Sequence, residues 1–206
     1  VRQHVNPLGL GYVEPRATPV VRPAALPAAC PVEVELGCAD GQFSFQLAAA
    51  CPDTFVVGLD IRERVIERNV ERARDRPNLG FGYVNLNVDL DRVFEPGSVT
   101  RFHVLFPDPW FKAKHHKRRV FEPGLLQAIH HQLVPGGELH IASDVYEVAL
   151  AGMAEVEETV GTAFAFTNFG GPWSFWRGNP FAGQSRREDT TLRRGQRVWR
   201  MRYRRA

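Results

Sequence analysis

Apolar residues recur along the chain in short blocks of two kinds, and the alternation of the two is the first structural signal. Val32-Glu33-Val34-Glu35-Leu36 is a short apolar-rich run that enters Gly37, which predicts a strand closed by a tight turn. From Gln42 to Ala50, Phe43, Leu47 and Ala48 share one face of a predicted helix. Thr54 to Leu59 predicts a second buried strand. Arg62 to Arg74 predicts a helix in which Val65, Ile66, Val70 and Ala73 recur at helical spacing among Glu and Arg. Further strands are predicted at Tyr83–Val88, Arg101–Phe106 and, after the Pro135-Gly136-Gly137 turn, Glu138–Ser143, with helices at Pro123–Leu133 and Asp144–Val160. Two last strands are expected at Ala163–Phe169 and Arg197–Tyr203. Repeated strand and helix units of this length predict an α/β fold, a doubly wound, mostly parallel sheet with helices on both faces.

Residues 1–29 lack that periodicity and carry Pro7, Pro15, Pro19, Pro23 and Pro27, so they read as an extended or disordered arm, with one domain over residues 30–206. A chain of 206 residues with 44% hydrophobic content suffices for one sizeable core. The apolar run near Val20 to Ala29 is broken by Arg22, Pro23 and Pro27, so a soluble protein without a membrane span or secretion signal is expected. Cys30, Cys38 and Cys51 show no C-x-x-C spacing, which suggests neither a disulfide framework nor a zinc site and suits a reducing cytoplasm.

Charge is unevenly spread. Lys112 to Arg119 holds five cations and no acid, and Ser185 to Ala206 holds nine arginines against Glu188 and Asp189. Removing these +5 and +7 from the total of +3 leaves −9 on the remainder. Concentrated cationic segments on an acidic body point to a polyanionic partner, although the tail by itself is also consistent with a solvated arginine-rich end.

In doubly wound sheets ligands bind beyond the carboxyl ends of the strands, so the residues after each predicted strand carry the functional signal. Glu35, Asp60, Asp89, Asp108 and Asp144 all occupy such positions, and clustered like charges are unfavourable unless they contact something. Glu35-Leu36-Gly37-Cys38-Ala39-Asp40-Gly41 places glycines where the backbone turns tightly, a role that a plain strand-to-helix turn also fills. Ala39 and Gln42 break the G-x-G-x-x-G spacing of a dinucleotide cradle. Asp60, 23 residues after Gly37, is placed to accept hydrogen bonds from ribose hydroxyls. Asp89 suits either an adenine amino group or a turn or cap.

Phe106-Pro107-Asp108-Pro109-Trp110-Phe111-Lys112-Ala113-Lys114-His115-His116-Lys117-Arg118-Arg119 is the most specific stretch. Each proline disfavours helix at the residue before it, which is expected to hold Phe106 and Asp108 extended at a strand end. The stretch resembles the F-P-D-P-W-x-K-x-R/K-H-x-K-R-R signature of bacterial tRNA (guanine-N7)-methyltransferases, and the glycine loop resembles the E/D-x-G-x-G-x-G loop of Rossmann-like methyltransferases with Ala39 for the middle glycine. The resemblance runs from about Glu33 to Arg204 through Gly58-Leu59-Asp60, Asp89 and Ala142-Ser143-Asp144. Ser185-Arg186-Arg187-Glu188 stands where the family carries T-x-x-E, with Arg187 in place of an aromatic residue.

The resemblance implies a class I methyltransferase fold, S-adenosylmethionine as cofactor and tRNA as partner. By the same resemblance, Glu35, Gly37, Asp60, Asp89 and Asp108 serve the cofactor, and Lys112, Asp144, Ser185, Arg186, Arg187 and Glu188 serve the guanine or its surroundings. Asp108 is the expected catalytic residue. Lys114, Lys117, Arg118 and Arg119 suit RNA phosphates, and no metal site, membrane partner or obligate protein partner is expected for a cytoplasmic monomer or homodimer. A guanine N7 already has its lone pair, so positioning and electrostatics rather than a general base would drive transfer. The rival readings are a methyltransferase with another acceptor, a non-catalytic RNA-binding module that keeps the fold, and an oxidoreductase, which the glycine spacing disfavours.

Overall fold

β1 (Val32–Leu36) is buried along its whole length, glutamates included, because elements cover both of its faces. The computed structural model describes residues 7, 9, 12, 14, 16–107, 123–158 and 164–206. After β1 come α1 (Gln42–Ala50), β2 (Phe55–Asp60), α2 (Glu63–Ala73), β3 (Leu79–Tyr83), β4 (Val99–Leu105), α3 (Pro123–Gln132), β5 (Leu133–Ser143), α4 (Tyr146–Glu157), β6 (Phe166–Asn168), α5 (Arg186–Arg193) and β7 (Trp199–Arg205). They form a seven-stranded sheet of order β3-β2-β1-β4-β5-β7-β6. The first five strands are parallel, and β7 runs antiparallel to both β5 and β6. Among the described residues, no helix is long and apolar enough to cross a membrane.

The chain steps outward from β1 to β3, then returns to place β4 on the other side of β1. That reversal opens a crevice beyond the carboxyl ends of β1 and β4, where the connecting loops diverge.

The two faces of the sheet differ in chemistry. On one, Val32, Val34 and Leu36 join Phe102, Val104, Leu139, Ile141, Met201 and Tyr203 beneath Leu126 and Ile129 of α3 and Met153 of α4. On the other, Phe43, Leu47 and Ala48 of α1 pack with Val56, Leu79, Leu105 and Ala142, and the alternate strand positions carry charge. There Arg101 bonds Glu33 at 2.5 Å and Glu138 at 3.1 Å, and Arg202 reaches Glu138 at 2.9 Å. His103 meets Glu33 at 2.8 Å and His140 at 3.2 Å under the ring of Phe181. Burial works to raise the Glu33 pKa, but its bonds to His103 and Arg101 outweigh that and hold it below the usual value.

Several elements lie away from their predicted positions. β3 forms at Leu79–Tyr83 rather than Tyr83–Val88, since Gly80 and Gly82 hide its alternation. Those glycines let the rings and branches of β2 close in: a Cβ on Gly80 would sit 3.2 Å from Phe55, and one on Gly82 the same distance from Leu59. Asn85–Asp89 instead folds into a turn, with Val88 N–H and Asp89 N–H both donating to the Asn85 carbonyl. On α2 the buried stripe is Ile66, Asn69 and Ala73, while Val70 is exposed. α4 starts only at Tyr146, and α5 was not foreseen as a helix. Its signal is present in Ser185-x-x-Glu188, since a hydroxyl followed three residues later by Glu is a helix-start pattern.

Within the first 29 residues, the described part of the chain lies along the body without forming helix or strand. Ala17, Val20 and Leu26 pack on the larger core, and Val20 N–H donates to the Val93 carbonyl.

Candidate functional site

The turn after β1 is built from backbone. Gly37, Ala39 and Gly41 all take positive φ, at 79°, 50° and 73°. For Ala39 this left-handed conformation costs roughly 1 kcal/mol that glycine would not incur. Two long-range bonds hold it there: Ala39 N–H donates to Asp60 Oδ2 at 2.9 Å, and Asn69 Nδ2 donates to the Ala39 carbonyl at 2.9 Å. Gly37 N–H and Cys38 N–H both donate to the Leu59 carbonyl at the end of β2. Gly41 is sterically required as well, because a Cβ would lie 2.8 Å from Phe81.

Under this loop sits Glu35, 4% exposed. It accepts hydrogen bonds from Ser44 N–H at 3.2 Å and Ser44 Oγ at 2.6 Å. Burial pushes its carboxyl up to about 8, the Ser44 bonds act against that, and the nearby Asp60 and Asp40 add to it. Asp60 closes β2 with its four acceptor positions filled: Arg62 N–H at 3.0 Å, Arg62 Nε at 2.8 Å, Arg62 Nη2 at 2.7 Å and Ala39 N–H. Asp89 is fully buried and accepts from Arg16 N–H at 3.0 Å and Asn85 N–H at 3.2 Å. The crevice wall at this point is made instead by Asn85, Leu86 and Asn87. Asn85 Nδ2 donates to the Pro7 and Tyr12 carbonyls, and Pro7 is itself part of the crevice wall.

The opposite end of the crevice is built from side chains. Asp144, just past β5, accepts from Arg187 Nε at 2.9 Å and Thr191 Oγ1 at 3.4 Å. Ser185 caps α5 by accepting from Glu188 N–H at 3.2 Å. Arg186 pairs at 2.6 Å with Asp40 of the glycine loop, so neighbouring arginines of one helix reach acids on both sides of the opening. Glu188 points inward: it is 1% exposed, ion-paired with Arg200 of β7, and lies outside the crevice wall. The segment before α5 is fastened to α1 by Gln42 Nε2 to the Gln184 carbonyl and by Gln184 N–H to Gln46 Oε1. Gly183 sits so close to α1 that a Cβ would be 2.8 Å from the Phe43 carbonyl.

The crevice between these ends encloses about 810 Å³, a size suited to a nucleoside-like ligand with room for a second ring. Glu35, Gly37, Asp60, Asp144, Ser185, Arg186 and Arg187 line it together. Asn85, Arg194 and Gln196 also line it and were not foreseen from the sequence. Neither was Asn69, which acts from α2 beside the apolar positions Val65, Ile66, Val70 and Ala73 that define the predicted helix. Phe106 departs from expectation in conformation. The proline after it was expected to hold it extended, yet its φ is 53°, a left-handed turn taken just after its N–H completes the β4–β5 ladder by donating to the Ala142 carbonyl at 2.7 Å. Asp108, Lys112, Lys114, Lys117, Arg118 and Arg119 lie outside the described residues.

Similarity to known proteins matches this architecture. The family model "Putative methyltransferase" matches residues 29–173. A tRNA (guanine-N(7)-)-methyltransferase of Synechococcus sp. strain JA-3-3Ab is 34% identical over 207 residues, which is 97% of this chain and 83% of the relative. One from Nostoc sp. strain PCC 7120 is 37% identical over 212 residues, covering 100% and 94%. Among solved structures, the 16S rRNA methyltransferase KamB aligns with a TM-score of 0.60 at 18% identity, over 85% of this chain and 88% of that one. The aminoglycoside resistance methyltransferase NpmB1 aligns with 0.56 at 20% identity, over 85% and 87%. At these identities the structures speak for the fold, which is that of methyltransferases.

Proposed function

The chain belongs to the tRNA (guanine-N7)-methyltransferase family, and we propose that its crevice holds S-adenosylmethionine at the glycine-loop end and a tRNA guanine at the α5 end. The enzyme transfers the cofactor methyl group to N7 of a guanine in tRNA. The single observation that carries the assignment of ends is the chemical split of one continuous crevice. One end offers backbone turns and the acids Glu35 and Asp60, and the other a carboxylate held among arginines.

The residues present fit the cofactor. The positive-φ turn at Gly37 leaves open space where a side chain would stand, so a ligand can lie against the backbone. Glu35 and Asp60 give acceptors to a group that is cationic at sulfur and amine and carries ribose hydroxyls. S-adenosylmethionine supplies an electrophilic methyl. The protein's part is to align it with N7, which needs no general base because the nitrogen lone pair is free. Alignment removes an entropic barrier, and a nearby carboxylate stabilises the positive charge that develops on the purine. Arg62 covers the oxygens of Asp60 that ribose hydroxyls would use, so its side chain swings aside on cofactor entry. Asp144 suits the guanine N1–H and exocyclic amine and exchanges its bond to Arg187 for them. We assign Asp89 the positioning of the Asn85 loop and Glu188 the seating of α5, each acting through a neighbour. Asp108 is assigned the catalytic carboxylate, and Lys112, Lys114, Lys117, Arg118 and Arg119 the tRNA backbone. A variable-loop guanine is the proposed target, in the cytoplasm.

The test is methyl transfer from labelled S-adenosylmethionine to unmodified tRNA transcripts, with nucleoside analysis of the product. The reading requires 7-methylguanosine at one site. Cofactor binding with no transfer would point to another acceptor, and no cofactor binding to an RNA-binding module. Asp108→Ala is expected to lower kcat about 100-fold or more, the scale of losing one electrostatic contact to a transition state. Near-normal turnover at saturating cofactor and tRNA would remove Asp108 from the mechanism.

A further inference from the structure

Beside the acceptor end lies a group of rings that neither the cofactor nor the target guanine uses. Trp199 opens β7 opposite Ser143, the residue before Asp144, so it lies at the same end of the sheet as the acceptor site. Tyr146 opens α4 two residues after Asp144, and its ring centroid lies 4.7 Å from that of Trp199. Phe175 completes the group at 4.9 Å from Trp199 and 6.1 Å from Tyr146. Phe175 and Trp199 lean on the main core, which accounts for their inner faces. Core packing does not account for the outer ones. Tyr146 is 43% exposed, and the exposed Arg197 lays its guanidinium over the Trp199 ring at 3.9 Å.

A guanidinium stacked on an indole keeps its second planar face free, and that face stacks well on a nucleobase. Arg197 is also one residue from Gln196, which lines the crevice together with Arg194, Arg187 and Arg186. Arg194, in the crevice wall, and the exposed Arg197 thus put a cationic track on the chain segment that joins the target site to the rings. An exposed aromatic and planar-cation surface reached along such a track fits a polyanion carrying flat bases.

We propose that Tyr146 and the Arg197–Trp199 stack form a platform that holds a base of the tRNA next to the target guanine. This rests on the function proposed above. By holding the neighbouring nucleotide, the platform keeps the target guanine unstacked at the mouth of the crevice. Its contribution falls on tRNA affinity rather than on the methyl-transfer step or on the cofactor.

The experiment uses the full chain and one tRNA transcript, with steady-state methyl transfer and direct filter binding of the same RNA. Tyr146→Ala and Arg197→Ala are each expected to raise KM and Kd for tRNA about tenfold, the scale of one base stacked on an aromatic ring. Cofactor KM, kcat and Tm should stay close to wild type. Tyr146→Phe should restore binding, and Arg197→Lys, which keeps the charge but not the plane, should not. An abasic nucleotide beside the target guanine should weaken wild-type binding and add nothing further in Tyr146→Ala. Unchanged KM and Kd in both alanine variants overturn the platform, as does full recovery with Arg197→Lys, which would reveal a plain charge contact. A wild-type chain that binds tRNA without methylating it would overturn the functional reading instead, and filter binding still decides the platform.

Discussion

The two ends of the crevice are built by different means. At the glycine-loop end, the shape comes from backbone conformation across Gly37 to Gly41, fixed by bonds from Asp60 and Asn69. At the α5 end, the shape comes from charged side chains of α5, of Asp144 after β5 and of Arg200 on β7, each already satisfied by an internal partner. The first end is a backbone mould that a ligand enters once the Arg62 guanidinium has left Asp60. The second is lined by ion pairs, Arg187 with Asp144 and Arg186 with Asp40, that a ligand must exchange, and the buried Glu188–Arg200 pair seats α5 behind them. A single fold thus keeps the backbone of its cofactor seat fixed while leaving its acceptor seat to be shaped by side chains that trade partners.

The sharpest way to break this contrast lies at Glu188 and Arg200, whose side chains are only 2% and 7% exposed. Removing one member of a buried ion pair strands the other charge, at a cost of roughly 3–5 kcal/mol, while replacing both with apolar residues is often close to neutral. Glu188→Ala should therefore show that loss in urea unfolding, and a Glu188→Leu, Arg200→Met double variant should recover most of it. Unchanged stability with a raised KM for tRNA would mean that Glu188 leaves Arg200 to touch the substrate.

At the other end, Asp60→Ala should weaken cofactor binding about 100-fold in calorimetry, since it removes both a ligand acceptor and a bond holding Ala39, each worth about 1–3 kcal/mol. Arg62→Ala should do the reverse and tighten binding a few-fold, because the guanidinium competes for the same carboxylate. If both variants weaken binding alike, Arg62 belongs to the cofactor seat and does not compete for it.

Arg187→Ala gives a smaller effect. Its pair with Asp144 is partly open to solvent, with side chains 24% and 18% exposed, so about 0.5–1 kcal/mol of stability is expected to be lost. KM for tRNA should change by no more than a few-fold, because an uncovered Asp144 is easier for guanine to reach. A loss of several kcal/mol would show that the acceptor end is as rigid as the cofactor end.

The contrast also explains how far the sequence could be read. The glycine loop and Asp60 lie within one strand-helix-strand unit, so periodicity and turn chemistry place them correctly. β1 and α1 match their predicted bounds, with Phe43, Leu47 and Ala48 buried as expected. The acceptor end joins residue 144 to residues 185–200 through the antiparallel pairing of β5 with β7. No local pattern announces that Arg187 finds Asp144 or that Glu188 finds Arg200. Asn69 and Asn85 were missed for a related reason: a polar residue on a helix stripe or in a turn looks ordinary until the group it bonds is known. β3 was misplaced because Gly80 and Gly82 carry no side chain to show which face is buried.

The finest test concerns Glu35, whose carboxyl burial pushes up to about 8 against an ordinary 4.5. Between those values the folded chain holds a proton that the unfolded chain has lost. Its contribution to stability is therefore full below about 4.5 and fades as pH climbs toward 8. A cationic cofactor placed beside Glu35 favours the ionised form, so binding near pH 7 should expel up to one proton, and affinity should rise a few-fold per pH unit from about 6 to 8. Calorimetry in two buffers of different ionisation heat measures that proton directly. Glu35→Gln should abolish its release and flatten the fall of stability with pH. If wild-type binding releases no proton, Glu35 stays neutral beneath the loop, and its role is to hold Ser44 and α1 in place through the bonds already seen. The cofactor seat would then owe its selectivity to backbone shape and Asp60 alone, which would widen the difference from the charge-built acceptor end.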